Sequence, residues 1–249
     1  MLKKTLGLLA SAAMLLGTSH VASAADMPVK ALLSPAPVLT WTGFYLGAHV
    51  GAGWGTTEST LTGAAFPGLG AVAFSFPFSQ NSRSGFLGGG QVGYNYQTGW
   101  VVLGVQGDFA GMDVKGTTPC LVILSCTTKS DWLATVSGRV GGVVAERALI
   151  YAKGGAAWMN STHSVNLPAF AGVGGTTITS RESTAWGWLV GMGVEYMFTK
   201  NWTGFVEYNY IEFDKKNEAF SFATVPGLTI NADLKNKLSI AKVGANYKF

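Results

Sequence analysis

The amino-acid sequence has few charged residues and, after its first segment, no long hydrophobic run. Asp, Glu, Lys and Arg make up 12% of the 249 residues, about half the usual share of a globular protein. No later stretch reaches about 18 consecutive apolar residues, which excludes helical membrane spans. No basic stripe is present, so a nucleic-acid partner is not expected. Hydrophobic residues are nevertheless 48% of the chain, so they must follow another pattern.

Residues 1–24 have the order of a secretory signal peptide. Lys3 and Lys4 form a basic start, an apolar stretch of 12 residues follows, and Ala22-Ser23-Ala24 offers a cleavage site. That stretch is too short for a spanning helix. Without Lys3 and Lys4, the 17 Lys and Arg become 15 against 13 Asp and Glu, so the mature chain is almost neutral. We expect residues 25–40 to be a short periplasmic segment before one domain at 41–249.

Cysteine and histidine are also scarce. The two cysteines, Cys120 and Cys126, are an even number in an exported chain, which predicts a local disulfide between them. With no histidine nearby they make a poor metal site, and no metal or cofactor is expected. His49 would suit the base of a lipid-modifying enzyme if a hydroxyl and a carboxylate lay beside it. The sequence favours the simpler interpretation of a hydrogen-bonded interior residue.

After the signal segment, apolar residues alternate with polar residues or glycine. In "FYLGAHVGAGW" (residues 44–54), one face carries Phe44 and Val50 while the other carries Gly47 and His49. A helix would scatter these two sets, whereas a strand separates them. The pattern recurs along the chain and predicts eight strands of roughly 10–13 residues. Strands of about this length cross a bilayer at a tilt.

Short and long connections alternate between these strands. Short turns are expected at residues 98–99, 145–147 and 199–201, and four long external loops at 55–84, 112–131, 159–183 and 214–237. Outer-membrane barrels have this asymmetry, with short periplasmic turns and long outer loops. The predicted fold is therefore all-β, an eight-stranded antiparallel up-and-down transmembrane β-barrel. We expect it in the lipid of the cell outer membrane of a Gram-negative bacterium.

Aromatic residues are concentrated near both ends of the predicted strands. Trp and Tyr prefer membrane–water interfaces because one side of the ring favours hydrocarbon and its polar edge favours water. The predicted girdles contain Trp54, Trp132, Trp158 and Trp186 at the long-loop end and Trp41 and Trp202 at the short-turn end. Two such rings favour a membrane barrel over a soluble sandwich.

Closure of the sheet turns the polar face of the strands into an interior. Six charged residues fall on this face at mid-strand: Asp108, Arg139, Lys153, Glu195, Glu207 and Lys242. Three acids and three bases can neutralise one another where a lone charge would be costly. A static plug is favoured over a gate that exchanges ion pairs to admit small ions. Because eight strands enclose little space, we expect a plugged or narrowly water-filled lumen, although many inward glycines could thin the packing.

The first predicted loop is unusually apolar, with the sequence "LTGAAFPGLGAVAFSFPFSQ" at residues 61–80. An exposed apolar surface can be the site of an external partner. The same residues could instead extend the barrel wall above the membrane or fold over its mouth. These three interpretations remain open.

Four motifs carry a resemblance to a known family: "WTGFYLGAHVGAGWG", "FLGGGQVGYNYQ", "EYNYIEF" and "KVGANYKF". Over residues 41–249 the chain resembles the small alphaproteobacterial outer-membrane β-barrel proteins, which are described as outer-membrane immunogenic or porin-family proteins. The resemblance implies surface-exposed antigenic loops and a structural or surface-interaction role rather than an enzyme. A passive channel for small solutes is the alternative. Related groups bind haem or host factors, but no pair of haem ligands is present to carry that role over.

The resemblance also bears on the terminal strand, which ends in alternating apolar residues. It implies that Tyr247 and Phe249 are the signal read by the barrel-assembly machinery during insertion. We therefore expect loss of Phe249 to impair assembly.

Overall fold

The computed structural model describes residues 39–68, 70–121, 124–167, 176–179, 183–221 and 229–249. Within these ranges some side chains near the hairpin tips are not described, among them those of Cys120, Cys126 and His163. The predicted signal peptide (1–24), nearly all of the predicted periplasmic segment (25–40) and the predicted disulfide therefore lie outside the described part. Within that part, no helix is long and apolar enough to cross a membrane.

In the described residues, ten antiparallel strands form one sheet. They are β1 (Gly43–Phe66), β2 (Gly70–Thr98), β3 (Val101–Leu121), β4 (Leu124–Val144), β5 (Ala148–Leu167), β6 (Thr176–Thr179), β7 (Ser183–Met197), β8 (Trp202–Phe213), β9 (Lys216–Ser221) and β10 (Thr229–Lys248). β6 extends the sheet beside β5, and β9 extends it beside β10. The other eight strands pair in chain order, and β10 pairs back with β1 from Tyr45/Lys248 to Ala65/Thr229. The predicted eight-stranded up-and-down barrel is therefore confirmed.

One end of the barrel, called the proximal end, carries three tight turns. They lie at residues 99–100, 145–147 and 198–201, close to the predicted positions. Ala145 and Glu146 have φ angles of 50° and 57°, the combination found in a type I′ turn, which matches the twist of the flanking strands. Gly99 has a φ of 60°, a conformation that costs glycine little.

The opposite, distal end differs from the prediction of four long loops. β1 and β2 stay paired as far as Phe66/Gly70, and β3 and β4 as far as Leu121/Leu124. The loop prediction was therefore wrong for most of residues 55–84 and 112–131. For residues 70–77 the physical reason is that every described side chain is exposed. A hairpin with water on both faces needs no alternation of polar and apolar residues, although its backbone still pairs.

The backbone ladder divides at the distal end. Pairing between β2 and β3 stops at Ser84/Lys115, and pairing between β7 and β8 stops at Gly187/Phe213. Beyond these points, the described pairings form two groups of strands, which we call the first and second flaps. The first flap contains residues 55–66, 70–83, 216–221 and 229–237, and the second contains residues 116–121, 124–131, 159–167 and 176–179.

The outer wall between these ends carries the predicted aromatic residues, with one exception. Trp54, Trp158, Trp186 and Trp202 are 38–56% exposed, and Trp132 is partly exposed. The assignment of Trp41 to a girdle was wrong, because its side chain is 2% exposed and packs inside the proximal end. Trp41 precedes the start of β1 and so lies outside the strand alternation.

Candidate functional site: the filled lumen

Side chains that face the lumen form four layers from the proximal to the distal end. The proximal cap consists of Trp41, Val102, Leu149, Tyr151 and Met197. The charge network contains the six charged residues that the alternation places inside. The apolar layer contains 13 buried residues: Leu87, Ala110, Met112, Val114, Leu133, Ala157, Met159, Ala185, Leu189, Ile211, Phe213, Leu238 and Ile240. The distal polar layer contains Thr57, Asn81, Arg83, Thr128, Ser130, Ser161 and Asn236, all buried.

The charge network consists of close ion pairs, most of which join strands that are not neighbours in the sheet. The Lys153 Nζ lies 2.6 Å from Glu207 Oε1, and Arg139 Nη1 lies 3.1 Å from Glu195 Oε2. The Lys242 Nζ lies 2.5 Å from Asp108 Oδ2 and 3.2 Å from Glu207 Oε1. The side chains in these pairs are at most 4% exposed. The six residues are three cations and three carboxylates, and each cation pairs with a carboxylate, so the network has no net charge.

Polar neighbours supply further hydrogen bonds to the two glutamates. Glu207 accepts bonds from the Tyr151 hydroxyl and the Asn209 amide, both at 2.8 Å. Glu195 accepts bonds from Thr203 Oγ1 at 2.5 Å and Asn246 Nδ2 at 2.8 Å. Burying an ion pair is favourable only when such bonds replace the lost water. The network therefore has the features of a fixed structure.

Two tyrosine rings enclose the guanidinium of Arg139. Its Cζ lies 4.9 Å from the ring centroid of Tyr45 and 5.0 Å from that of Tyr151. Its Nε donates a hydrogen bond to Asn95 Oδ1 at 2.8 Å. Stacking on aromatic faces favours a buried cation and restricts its movement. Alternation places these polar neighbours inside, but the sequence does not show which of them surround Arg139.

Inward glycines make room for these large side chains. A Cβ at Gly93 would overlap the phenol of Tyr45, and a Cβ at Gly193 would overlap the phenol of Tyr151. The sequence left open whether the glycines thin the interior. In the structure, they face bulky neighbours and allow the lumen to fill.

His49 lies inside the barrel beside the charge network. Its Nε2 is 3.0 Å from Asp108 Oδ2, and the imidazole is buried. A cavity of about 10 Å³ adjoins His49, Asp108, Thr135, Lys153 and Lys242, which is room for roughly one water molecule. Among the described residues, no group of three or more His, Cys, Asp or Glu is placed to hold a metal ion.

The apolar layer is the main feature of the lumen that the sequence reasoning missed. In "WGWLVGM", Leu189 lies between Trp188 and Val190, both of which face outward and are exposed. Apolar residues on both faces of one strand were a usable signal that the interior is apolar at that level. The lumen is consequently closed by packed side chains at the level of the apolar layer, between the charge network and the distal polar layer.

The terminal strand closes the barrel and presents its aromatic residues to the outside. Tyr247 is 38% exposed and Phe249 is 73% exposed. Their ring centroids are 5.2 Å apart, and the backbone N–H of Phe249 donates to the carbonyl of Phe44 at 3.0 Å. Phe249 is thus accessible at the proximal rim, and its role in assembly stays a prediction.

The closed barrel and its exposed apolar outer wall agree with comparisons with known proteins. Residues 10–249 match the model of the outer membrane protein beta-barrel domain, and the chain belongs to this family. It is 34% identical to the 31 kDa outer-membrane immunogenic protein of Brucella melitensis, over 97% of this chain and 98% of that protein. It is 31% identical to the 22 kDa outer membrane protein of Rhizobium leguminosarum bv. viciae, over 78% of this chain and 72% of that protein.

A solved structure shows the same fold. The outer membrane protein OprG of Pseudomonas aeruginosa aligns with a TM-score of 0.53 at 11% identity, over 84% of this chain and 96% of that protein. The chain is therefore an outer-membrane β-barrel surface protein of a Gram-negative bacterium, similar to the alphaproteobacterial immunogenic proteins. The expected family resemblance, fold class and localisation are confirmed.

Proposed function

We propose that this protein is a closed, non-conducting barrel that holds two surface flaps outside the membrane for contact with an external partner. The observation that carries the closed lumen is the stacking of the charge network against the 13-residue apolar layer. The cavity beside the network is only about 10 Å³. An ion crossing the barrel would have to break buried ion pairs and then pass an apolar constriction that disfavours water.

Planar-bilayer recording tests the closed lumen. The wild-type protein is expected to give no stable conductance steps above background. Leu133→Ala combined with Leu189→Ala removes two buried side chains of the apolar layer, and any leak is expected first in this variant. Val190→Ala, a lipid-facing change on the same strand, is the matched control. Stable wild-type channels would overturn the proposal.

A gated passive channel is the second candidate, and one observation favours it. Lys242 Nζ is shared between Asp108 at 2.5 Å and Glu207 at 3.2 Å, so a switch between the two acids needs only a small movement. In a gated channel, Lys242→Met would change the conductance or its voltage dependence. In a closed barrel, neither the wild type nor this variant would conduct.

We also propose that the lumen has no catalytic activity, because His49 is enclosed. The imidazole is buried, and the adjoining cavity is too small for a lipid. His49→Ala is expected to leave the lipid A of expressing cells unchanged when measured by mass spectrometry. A lipid A modification that depends on His49 would contradict this assignment.

The contact surface is assigned to the first flap because its apolar residues are exposed. Val72, Phe74 and Phe76 are 42–62% exposed on β2. At this level the described pairings of β2 are with β1 on one side. An unpaired edge with apolar side chains can accept an added strand from a partner. A deletion that removes this surface should spare Thr57, Asn81 and Arg83, whose inward side chains belong to the distal polar layer.

Epitope tags test which end faces outward. A tag inserted at residues 67–69 is expected to bind antibody on intact cells, and the control tag at 145–147 only after the outer membrane is opened. Replacing Phe74 and Phe76 with Ser is expected to reduce adhesion of these cells to hydrocarbon droplets. Labelling of intact cells at 145–147 alone, or unchanged adhesion, would contradict the proposed surface role.

A further inference from the structure

Arg83 is a buried cation in the distal polar layer with two unused donor groups. Arg83 is 2% exposed, and its Nη1 donates a hydrogen bond to Ser130 Oγ at 2.9 Å. The Nε and Nη2 atoms are buried and have no hydrogen-bond partner in the structure. A buried charged donor without a partner is costly, so this position requires an explanation.

Within the part of the chain that the structure describes, Arg83 has no counter-charge inside the barrel. Among the described residues, the buried carboxylates are Asp108, Glu195 and Glu207, which belong to the charge network on the far side of the apolar layer. Four acids of the distal hairpins pair with lysines at positions where the side chains of both partners are 25–64% exposed. These pairs are Asp113 with Lys115, Asp131 with Lys129, Glu212 with Lys235 and Glu58 with Lys237.

Arg139 provides the comparison within the same chain. It is buried to a similar extent, but it is compensated by Glu195 and by two tyrosine rings. Among the described residues, the partner of Arg83, which lies beyond the distal girdle, is a neutral hydroxyl. Burial lowers the pKa of Arg83 to about 10, which still leaves the guanidinium charged at neutral pH.

The unused edge of Arg83 has a definite chemical preference. Nε and one terminal nitrogen of a guanidinium present two roughly parallel N–H bonds, which match two oxygens of a carboxylate or a phosphate. Ser130 holds the other nitrogen, and its Oγ lies 3.1 Å from Ser161 Oγ, so the orientation of the group is constrained. The apolar layer closes the proximal side, which leaves the distal end as the route of entry.

We propose that the Nε–Nη2 edge of Arg83 binds an oxyanion, a phosphate or carboxylate group, that enters from the distal end of the barrel. The bound group supplies the missing counter-charge. The site lies between the bases of the two flaps, so an anionic group of an external partner would reach it together with the flap edges.

Thermal unfolding of the full chain, refolded in detergent without lipopolysaccharide, tests the site. Midpoints are measured while phosphate, acetate or chloride is titrated at constant ionic strength. Phosphate and acetate are expected to raise the wild-type midpoint saturably, because a ligand of the native state stabilises it. Lipopolysaccharide in place of phosphate distinguishes a lipid phosphate from a free anion. Chloride raising the midpoint equally would overturn the proposal.

Arg83→Gln removes the charge and the charged fork. Its apparent affinity for phosphate is expected to fall roughly tenfold or more, while its midpoint in anion-free buffer stays equal or rises because a buried uncompensated charge is gone. Arg147→Gln, an exposed change in a proximal turn, is the control and keeps the wild-type response. An Arg83→Gln variant that is destabilised in anion-free buffer and still responds to phosphate would contradict the site.

If the glutamine variant does not fold, Arg83→Lys tests whether the guanidinium fork recognises the oxyanion. Lysine keeps the positive charge but lacks the planar fork. The expected result is a folded protein that no longer prefers phosphate over chloride. Retention of the wild-type preference would show that the fork does not recognise the anion.

Discussion

Replacing Glu207 with Gln tests whether the lumen is dry, because Glu207 is the most highly connected acid of the charge network. Its Oε1 lies 2.6 Å from Lys153 Nζ and 3.2 Å from Lys242 Nζ. Its carboxylate also accepts hydrogen bonds from Tyr151 and Asn209, both at 2.8 Å. Gln preserves the size of the side chain but removes its charge. Lys153 then has no carboxylate within ion-pair distance among the described residues.

The expected loss follows from this burial. Leaving one partner of a buried ion pair uncompensated typically costs about 3–5 kcal/mol, and Lys153 is 1% exposed at its side chain. The free energy of unfolding is measured by denaturant titration of the detergent-refolded barrel with tryptophan fluorescence. Asp113→Asn is the matched control: its pair with Lys115 has side chains 54–64% exposed, so the change is expected to cost at most about 1 kcal/mol.

A double-mutant cycle separates the ion pair from other effects of the substitution. Lys153→Met in the Glu207→Gln background removes the stranded cation, so the double variant is expected to lose less stability than the sum of the two single variants. A Glu207→Gln cost as small as that of Asp113→Asn would mean that water reaches the network. That result would refute the closed lumen, whatever the bilayer recordings showed.

Three further changes are expected to act at separate points of the barrel. Gly93→Ala should lower the free energy of unfolding by about 1–3 kcal/mol, because the added Cβ overlaps the phenol of Tyr45. Gly138→Ala is the control: no atom lies within 4 Å of its added Cβ, so it should be close to neutral in the same unfolding assay. Deleting Phe249 is expected to reduce heat-modifiable, assembled barrel in outer-membrane fractions, and normal amounts at native expression would count against the assembly signal. Trp41→Ala removes a fully buried side chain of the proximal cap and should cost about 3–5 kcal/mol; a loss below about 1 kcal/mol would show that the cap contributes little.

The barrel itself could be predicted because the bilayer imposes a simple rule on its strands. Lipid outside and a polar interior force residues such as Val50 and His49 onto opposite faces, and this alternation is visible in the sequence. Tight turns between strands then give the up-and-down order. This alternation does not apply to Trp41, because Trp41 lies before β1, where the chain can fold inward without following the strand period.

The interior could be predicted residue by residue, but its contacts could not. Alternation places Arg139 and Lys153 inside, and the sheet register sets them directly opposite each other. Two adjacent cations would repel, yet each reaches a different acid, Glu195 and Glu207. Which acid lies within reach depends on the stagger of strands around the closed ring. Nothing local in the sequence records that stagger.

The flaps could not be predicted as strands, and the reason is the same one that makes them suitable for contact with an external partner. In the proposed orientation the flaps lie outside the membrane, where water replaces lipid on the outer face and the selection for apolar outward side chains disappears. The stretch around Phe74 and Phe76 can then carry apolar groups without a matching interior. Backbone pairing with β1 still holds the stretch extended. Backbone pairing orders such a segment, while neither lipid nor a packed interior restricts which side chains it carries. It can therefore present a binding surface while the packed lumen maintains the fold.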